Sequence, residues 1–384
     1  MSLKSILLRV IYHVSDKSQT VWLFAERQNA AGDNTEAFFR YVVKQPTDAK
    51  NYFLLSKKSP DHKKMCGYGP VINSRGLHHD LLFLRIKKLF LSHPETHIMN
   101  PFGSKINCYA DLITADFIFL QHRILKSDLS HWLNRYEMNF SQMVTSAQQE
   151  YECILGGAYS YDKSIPVRCG LPRYDLLVNR PAGKIIVMPT WRQRIAGPFN
   201  RRTKTRDYNA GFKKSKYFKF YQRLLNDPRI LAVMKKNGLT GEFYLHPSLE
   251  AQIPDFSFKS FAIMPMPYDY NRAFCEGDLL TTDYSSVSLD FAYLNKPVIF
   301  CHFDKDSVYN GDHIFTKSYI ADNKFGPVAE DYESAVTSII RQIRNGCHMD
   351  RKYKDYTKKF YFYHDQNNCA RLLAAVSGQP KMRR

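Results

Sequence analysis

The segment from Gly277 to Asp304, GDLLTTDYSSVSLDFAYLNKPVIFCHFD, decides the fold class of this chain. Leu279 to Thr282 is a short apolar and β-branched run typical of a buried strand. Apolar residues from Val287 to Leu294 then repeat at near-helical spacing, and Pro297 to Cys301 is a second buried run. A strand, a helix and a strand in so short a segment form the compact unit of a parallel sheet, so the segment predicts an α/β protein.

The turn that follows the first of these strands is Asp283-Tyr284-Ser285-Ser286, and its residue types cap helices. A helix that begins there presents free N–H groups and the positive end of its dipole, which attract anions. Ligands bind at this edge of open α/β sheets. Two interpretations follow: the serines bind an anionic ligand, or Asp283 and Ser285 only cap the helix.

Size and charge limit the class of protein. The chain has 384 residues, of which 44% are hydrophobic, and this predicts two domains with a core each. The net charge of +19 indicates an acidic partner, which could be nucleic acid, phospholipid head groups or a polyanionic substrate. The eight cysteines form no CxxC pair and have no ligand-like spacing with histidine, so we expect reduced thiols in a cytoplasmic protein.

The N-terminal residues predict an amphipathic helix. Apolar residues recur at helical spacing from Leu3 to Ile11, and this face either packs on the first domain or contacts lipid. The segment is too polar for a secretory signal, and the sequence contains no apolar run of 18 residues, so we expect no membrane span.

Strand-like and helical patterns alternate along the chain, which predicts a Rossmann-like N-terminal domain. A break rich in turn formers, Asn179 to Lys184, places the boundary between domains 1–180 and 181–384. Helices are predicted at Asn34–Val43 and Leu77–Phe90. Strands are predicted at Thr20–Ala25, Tyr52–Leu55, Leu91–His93, Phe117–Gln121, Met143–Ser146, Val167–Gly170, Ile185–Met188 and Phe243–Leu245.

Three basic side chains lie just after predicted strands: His122, Arg192 and His246. The carboxyl end of a strand suits ligand binding or catalysis, but a histidine there can equally be structural. Arg192 opens a segment rich in lysine and arginine that mostly forms a solvated face. Its guanidinium has the planar, charged fork that fits phosphate oxygens.

Several blocks of the sequence resemble those of the bacterial CDP-glycerol glycerophosphotransferases, the teichoic-acid primase and polymerase group. The DYSS turn matches that family's DYSS segment, and the other blocks occur in the family's order from about Val21 to Arg371. These are Phe24–Asn34, Gln121–Asn134, Gly170–Asp175, Pro189–Arg192, His246-Pro247, Phe325–Val328 and the closing Phe362–Arg371.

The resemblance implies two Rossmann-like domains that face a central cleft, in the GT-B type of architecture. It implies that His122 is the general base and that His246 is a second essential histidine. Arg192, Ser285 and Ser286 would contact the phosphates of the donor, with Asp283 fixing the loop and Asp365 lying in the closing block. Arg123 stands where the family usually has glycine, so this loop differs in shape or binds an anionic acceptor.

The implied reaction transfers glycerol phosphate from CDP-glycerol, or a related CDP-polyol, to the hydroxyl end of a polyanionic, lipid-linked polymer, and it releases CMP. No carboxylate cluster suited to a metal ion is evident among these blocks, so we expect neither a metal site nor a cofactor. The charge fits peripheral binding at the anionic inner face of the cell membrane.

Three alternatives remain open from the sequence. The first is a CDP-ribitol ribitolphosphotransferase, and the second is a nucleotide-sugar glycosyltransferase of GT-B fold, which would release UDP or GDP. The third is a binder of nucleic acid or another polyanion without enzymatic activity. No zinc-finger, RNP-type or glycine-rich RNA motif supports the third, so we expect no nucleic-acid partner.

Overall fold

The computed structural model describes residues 3–15, 18–74, 76–202, 205–309 and 319–378. The described chain forms two compact units. The first unit contains the described residues up to Leu125, then Leu129–Leu176, and the described residues from Phe362 onward. The second unit contains Lys126–Asp128 and Leu177–Tyr361.

A parallel sheet forms the centre of the first unit. Its strands are β1 (Thr20–Ala25), β2 (Ala49–Leu54), β3 (Val71–Ile72), β4 (Lys88–Leu91), β5 (Asp116–Phe119), β6 (Gln142–Thr145) and β7 (Pro166–Arg168). Among the described residues, these seven strands have the order β3-β2-β1-β4-β5-β6-β7. The order reverses between β1 and β4, since β2 and β3 lie on one side of β1 and the later strands on the other. This confirms the α/β class.

Helices surround this sheet: α1 (Leu3–Val14), α2 (Asn34–Val42), α3 (His62–Cys66), α4 (Leu77–Arg85), α5 (Thr96–Met99), α6 (Ser130–Leu133), α7 (Arg135–Met138) and α8 (Gln148–Leu155). Aromatic side chains fill the contact between α2 and the sheet, where Phe24 stacks on Phe90 with ring centroids 4.7 Å apart. Phe38 packs edge-on against Phe90 at 5.1 Å. The core therefore fixes the start of α2 next to the ends of β1 and β4.

Helix α1 packs on the first unit through a different face from the one predicted. Leu8 is fully buried against Leu84 and Tyr109. The apolar side chains of Ile6, Leu7, Val10 and Val14 are instead 44–79% exposed. Over the described ranges, no helix has the length and apolar character that crossing a membrane requires.

The predicted helix at 77–90 is wrong in its second half. Helix α4 ends at Arg85, Ile86 is extended with φ −63° and ψ 146°, and β4 begins at Lys88. Leu89 and Phe90 pair with both β1 and β5 in the middle of the sheet. A short apolar run that is buried on both faces fits a helix or a strand by pattern alone, and the sheet decides between them.

The second unit also has a parallel sheet. The strands of this unit are β8 (Lys184–Met188), β9 (Phe199–Asn200), β10 (Thr205–Arg206), β11 (Thr240–Phe243), β12 (Phe261–Ile263), β13 (Gly277–Thr282), β14 (Val298–Cys301) and β15 (Val328–Ala329). In the part of the chain that the structure describes, six strands have the order β12-β11-β8-β13-β14-β15, and β9 and β10 form a separate antiparallel pair. The order reverses between β8 and β13.

The helices of the second unit are α9 (Lys216–Leu224), α10 (Pro228–Lys236), α11 (Tyr270–Glu276), α12 (Val287–Tyr293), α13 (Lys305–Ser307), α14 (Tyr332–Arg344) and α15 (Arg351–Phe360). Together β13, α12 and β14 form the strand–helix–strand unit that the opening segment predicts. All eight cysteines lie among the described residues and are free thiols, as expected.

The last described helix, α16 (Asn368–Ser377), belongs to the first unit, which corrects the predicted domain range 181–384. The Asp175 carboxylate accepts the backbone N–H groups of Asn368 and Cys369 at 2.9 and 2.8 Å. Gly170 has φ +82°, and a Cβ there would lie 2.1 Å from the Asn368 side-chain oxygen. Asp175 and Gly170 thus anchor α16. The chain leaves the first unit at Leu176, four residues before the predicted boundary at 180.

Candidate active site

His122 lies in the first unit, beyond the end of β5, on a strained turn. Gln121 has φ 63°, a left-handed conformation that residues other than glycine rarely adopt. Strain of this kind costs about 1–3 kcal/mol and clusters at functional sites. The Asn34 side-chain amide donates to the Gln121 carbonyl at 2.6 Å and fixes the turn. The His122 side chain remains 39% exposed, whereas Gln121 is buried.

Asp33 and His122 form a hydrogen-bonded pair. Asp33 caps α2, since its Oδ1 accepts the Asn34 backbone N–H at 2.8 Å. Its Oδ2 bonds with Nδ1 of His122. An ionised carboxylate only accepts, so Nδ1 of His122 carries the proton and Nε2 of the neutral ring holds a lone pair. A histidine in this tautomer is ready to take a proton at Nε2.

Arg173 and Glu26 hold the pair in place. Arg173 donates through Nη1 to Asp33 Oδ1 at 2.9 Å and to the backbone carbonyl of His122. The buried Glu26 carboxylate accepts the Asp33 backbone N–H at 3.0 Å. Asp33 is therefore fixed through its backbone and through both carboxylate oxygens.

The surroundings favour an ionised Asp33 and a neutral His122. Burial opposes ionisation of Asp33, but its interactions with His122 and Arg173, including the hydrogen bond with His122, outweigh it and hold the pKa of this carboxyl well below its usual value. Burial lowers the pKa of His122, and the charges of Arg123 and Arg173 add to this, against the attraction of Asp33. The imidazole is therefore a free base at neutral pH.

His93 follows β4 and lies against the pair. Its ring centroid is 4.3 Å from that of His122, and its Nε2 is 3.9 Å from Asp33 Oδ2. Among the described residues, Asp33, His93 and His122 form the one group whose ligand atoms are close enough to share a metal ion. The Arg173 guanidinium is paired with the same carboxylate and competes with a cation there. That the protein needs no metal stays a prediction.

Arg192 and two carboxylates form a sealed network in the second unit. Arg192 follows β8, Asp283 follows β13 and Asp304 follows β14. The Arg192 guanidinium donates to Asp283 at 2.8 Å and to both oxygens of Asp304 at 2.8 and 3.1 Å. Arg192 is 1% exposed and Asp283 fully buried. The network ties together the carboxyl ends of three adjacent strands.

The structure contradicts the predicted contact of Arg192 with the phosphates of the donor. Its remaining nitrogen, Nη1, donates to the carbonyls of Thr190 and Trp191 at 2.8 and 3.4 Å, so each donor nitrogen is engaged within the protein. Burial opposes the charge of Arg192, but Asp283 and Asp304 outweigh it and hold its pKa well above the usual value. Arg192 fixes strand-end loops here and does not present its fork to a phosphate.

The Asp283 carboxylate also accepts hydrogen bonds from the backbone of two loops. Its Oδ1 accepts the backbone N–H groups of Thr190 and Tyr284 at 2.8 and 2.7 Å. Ser285 and Ser286 follow, and α12 begins only after Ser286, which serves as its N-cap residue. Ser285 is partly exposed and Ser286 is buried. Contact of these serines with a phosphate stays a prediction.

His246 follows β11 and stacks on Trp191, with ring centroids 5.9 Å apart and ring planes 23° apart. The Ser248 backbone N–H donates to Nδ1 of His246 at 3.1 Å. Because Nδ1 accepts, the neutral ring carries its proton on Nε2. Arg206 lies over the Trp191 ring at 4.9 Å. Nε2–H of His246 is therefore a hydrogen-bond donor.

The two other predicted site residues lie in the first unit. Arg123 is exposed next to His122. Asp365 forms a two-pronged ion pair with Arg371, with both distances at 2.8 Å. This pair engages both carboxylate oxygens of Asp365, so a contact of Asp365 with substrate stays a prediction.

Four residues of these clusters have no predicted role from the sequence: Asp33, His93, Arg173 and Asp304. The signal that could have found three of them is position: Asp33, His93 and Asp304 lie in the loops that follow β1, β4 and β14. Arg173 lies inside the block Gly170–Asp175, which resembles the family, but the resemblance implies no function for this residue.

Both sheets carry ionisable side chains where their strand order reverses. Asp33 and His93 follow β1 and β4 in the first unit, and Arg192 and Asp283 follow β8 and β13 in the second. Open α/β sheets bind ligands at this position. The fold and its sites define an α/β protein with two candidate ligand-binding sheet edges, one of which carries a histidine–aspartate pair suited to base catalysis.

The chain belongs to the CDP-glycerol:poly(glycerophosphate) glycerophosphotransferase family, whose model matches residues 6–378. This confirms the resemblance found in the sequence. The chain is 36% identical over 380 residues to the minor teichoic acid biosynthesis protein GgaB of Bacillus subtilis (strain 168), covering 97% of this chain and 41% of GgaB. It is 25% identical over 256 residues to the teichoic acid poly(glycerol phosphate) polymerase of Staphylococcus epidermidis, covering 59% of this chain and 31% of that protein. The chain thus spans less than half the length of these relatives.

Solved structures resemble the chain in fold. The wall teichoic acid polymerase TagF gives a TM-score of 0.65 at 14% identity, covering 98% of this chain and 93% of TagF. UDP-GlcNAc 2-epimerase from Neisseria meningitidis, bound to UDP-GlcNAc, gives 0.53 at 8% identity, covering 94% of this chain and 100% of that one. At these identities the similarity concerns the fold alone.

Proposed function

We propose that the protein transfers glycerol phosphate from CDP-glycerol to the hydroxyl end of a teichoic-acid-like or capsular polymer and releases CMP. The observation that carries the proposal is the Asp33–His122 pair, which leaves Nε2 of a neutral histidine as a base in a member of this family. The teichoic acid relatives support it, as does a histidine variant of TagF that was soaked with CDPG.

In the proposed reaction, the acceptor hydroxyl oxygen attacks the β-phosphorus of CDP-glycerol. Nε2 of His122 takes the hydroxyl proton as the new oxygen–phosphorus bond forms. The bond from that phosphorus to the bridging oxygen breaks, and the bridging oxygen leaves as part of CMP. Such a transfer depends on positioning and on stabilised charge more than on covalent catalysis.

The second unit would hold the donor. Nε2–H of His246 would donate to a diphosphate oxygen, and Ser285 and Ser286 would contact the phosphates from the start of α12. Arg192 would act as a positioning residue, because it ties together the loops that carry these groups. Arg123 would contact the anionic acceptor.

The proposal includes the GT-B type of architecture, in which two Rossmann-like domains face a central cleft. The similarity in fold to TagF over 98% of the chain supports it. Two units with a reversed strand order in each sheet are also what this architecture requires.

We also propose peripheral binding at the cytoplasmic face of the membrane through α1. The exposed side chains of Ile6, Leu7, Val10 and Val14 form an apolar strip, and the net charge of +19 attracts anionic lipid. Sedimentation with vesicles tests this: binding should need anionic lipid and weaken as salt rises. Equal pelleting with neutral vesicles would contradict the electrostatic part.

The test of the proposed function is nucleotide release with defined donors and acceptors. The protein is incubated with CDP-glycerol, CDP-ribitol, UDP-sugars or GDP-sugars, with a polyol-phosphate acceptor, and His122→Ala serves as the control. We expect CMP from CDP-glycerol and elongation of the acceptor. A preference for CDP-ribitol would indicate a ribitolphosphotransferase, and release of UDP or GDP would indicate a glycosyltransferase.

A further inference from the structure

His93 is a partly buried histidine that lies beside the Asp33–His122 pair. Neither nitrogen has a hydrogen-bond partner among the residues that the structure describes. The side chain is 15% exposed and contacts the ring of His122. Buried polar groups are nearly always paired, because an unpaired donor or acceptor loses its bond to water.

The protonation state of His93 defines what it can bind. Burial and the neighbouring His122 lower the pKa of His93 to about 3, against the attraction of Asp33. The ring is therefore neutral, with one N–H donor and one nitrogen acceptor. The acceptor nitrogen needs a partner that donates. A phosphate diester has no donor at neutral pH, whereas a hydroxyl has one.

The position of His93 places such a hydroxyl beside the reacting one. His93 follows β4 and Asp33 follows β1, at the reversal of strand order in the first sheet. The His93 and His122 ring centroids are 4.3 Å apart. Two rings this close can both reach one ligand, at oxygens on neighbouring atoms, since each hydrogen bond spans about 3 Å.

We propose that His93 binds a second hydroxyl of the acceptor, next to the hydroxyl that His122 deprotonates, so that the site recognises a vicinal diol. The inference rests on the proposed function, and it names the chemistry of the acceptor end. The diol is the terminal unit of a polyol chain or a sugar, and His93 is the residue that distinguishes it from a single alcohol.

The experiment compares two synthetic acceptors that differ in one oxygen. One ends in glycerol phosphate and carries a vicinal diol; the other ends in 1,3-propanediol phosphate and lacks the secondary hydroxyl. CMP release from CDP-glycerol gives kcat/KM for each acceptor. We expect wild type to prefer the diol by about 10- to 100-fold, because the single alcohol leaves His93 unpaired.

Variants of His93 separate recognition from a structural role. His93→Phe keeps a ring against His122 but removes both nitrogens, and its preference for the diol should fall to about one. His93→Asn keeps a donor and an acceptor, and it should retain part of the preference. His79→Phe is the matched control, since His79 is a buried histidine of the same unit, and it should keep the wild-type ratio.

The outcomes distinguish the two proposals. If wild type releases CMP but does not prefer the diol, or if His93→Phe keeps the preference, the inference about His93 is overturned while the proposed function stands. If wild type releases no CMP from CDP-glycerol with either acceptor, the proposed function itself fails. Should His93→Phe be unstable in thermal unfolding, the ratio for His93→Asn decides: a wild-type value overturns the inference, and a reduced one supports it.

Discussion

The two charged clusters of this protein are built from similar residue types in opposite proportions. In the first unit one carboxylate, Asp33, pairs with a histidine and an arginine, and the histidine side chain remains 39% exposed. In the second unit one guanidinium, Arg192, pairs with two carboxylates and is 1% exposed. The first cluster leaves an imidazole nitrogen for a substrate, whereas the second engages each of its donor nitrogens within the protein.

Charged residues at equivalent places in two sheets therefore have different uses. A partly exposed pair with a depressed histidine pKa suits proton transfer. A buried ion network is weak support for stability, but removing one of its members leaves uncompensated charge. Substitutions in the first cluster should therefore lower the turnover rate. Substitutions in the second cluster should lower the free energy of unfolding of the second unit.

The largest effect is expected from His122→Ala. The variant removes the proposed base, and turnover should fall by about 10² to 10⁴. Donor affinity should be nearly unchanged, because His122 would contact the acceptor hydroxyl. CMP release gives turnover, and calorimetry with CDP-glycerol gives affinity. Full activity, or loss of donor binding, would show that the base has been assigned wrongly.

Arg192→Ala should destabilise the second unit by about 3–5 kcal/mol, because Asp283 and Asp304 would remain buried without their cation. Trp22, Trp132 and Trp191 are the three tryptophans of the chain. Replacing the first two by phenylalanine makes fluorescence during urea unfolding report on the second unit. Arg351→Ala, which removes an exposed ion pair with Asp355 in the same unit, is the control and should change much less. Equal losses of unfolding free energy in the two variants would contradict a special role of the Arg192–Asp283–Asp304 network.

His246→Ala should weaken donor binding by about tenfold or more and lower turnover as well. A donor hydrogen bond to a charged oxygen acts in both the ground state and the transition state. Calorimetry with CDP-glycerol measures the affinity, and Ser248→Ala is the control, since its backbone N–H bond to His246 is retained. Unchanged affinity in His246→Ala would remove His246 from the donor site.

The smallest effect is expected from Arg123→Gly, which restores the residue usual in the family. Burial and the charges of Arg123 and Arg173 lower the pKa of His122. A base works only when neutral, so activity falls as pH drops through this pKa. Without Arg123 the pKa rises, and the acid limb of kcat/KM moves to higher pH. Arg123→Lys keeps the charge and should keep the limb in place; a shift in both variants would argue against a charge effect.

Local pattern predicted much of the fold. The first predicted strand has the bounds of β1, and the opening segment contains β13, α12 and β14 as expected. The error at 77–90 arose because an apolar run fits a helix and a central strand equally well. Only the pairing of Leu89 and Phe90 with two neighbouring strands decides between them.

The candidate site was predicted only in part because it depends on strand order. His122 and His246 are recognisable from strand ends and family resemblance. The partners of His122 are not, since Asp33 and His93 are far apart in sequence and meet because β4 lies next to β1. The burial of Arg192 was also not predictable from local sequence, because its two carboxylate partners follow two different strands and meet it only in the folded sheet.

The return of α16 to the first unit has a consequence for synthesis on the ribosome. Domains generally fold as units while the chain emerges, beginning from the N-terminus. Here the first sheet emerges early, but the backbone donors of Asn368 and Cys369 reach Asp175 only after residues Leu177–Tyr361 have been made. The second unit, continuous over those residues, can therefore close first. The first unit cannot complete its fold until α16 has been made. Before that, the Asp175 carboxylate lacks the backbone donors of α16, and Gly170 lacks its contact with Asn368.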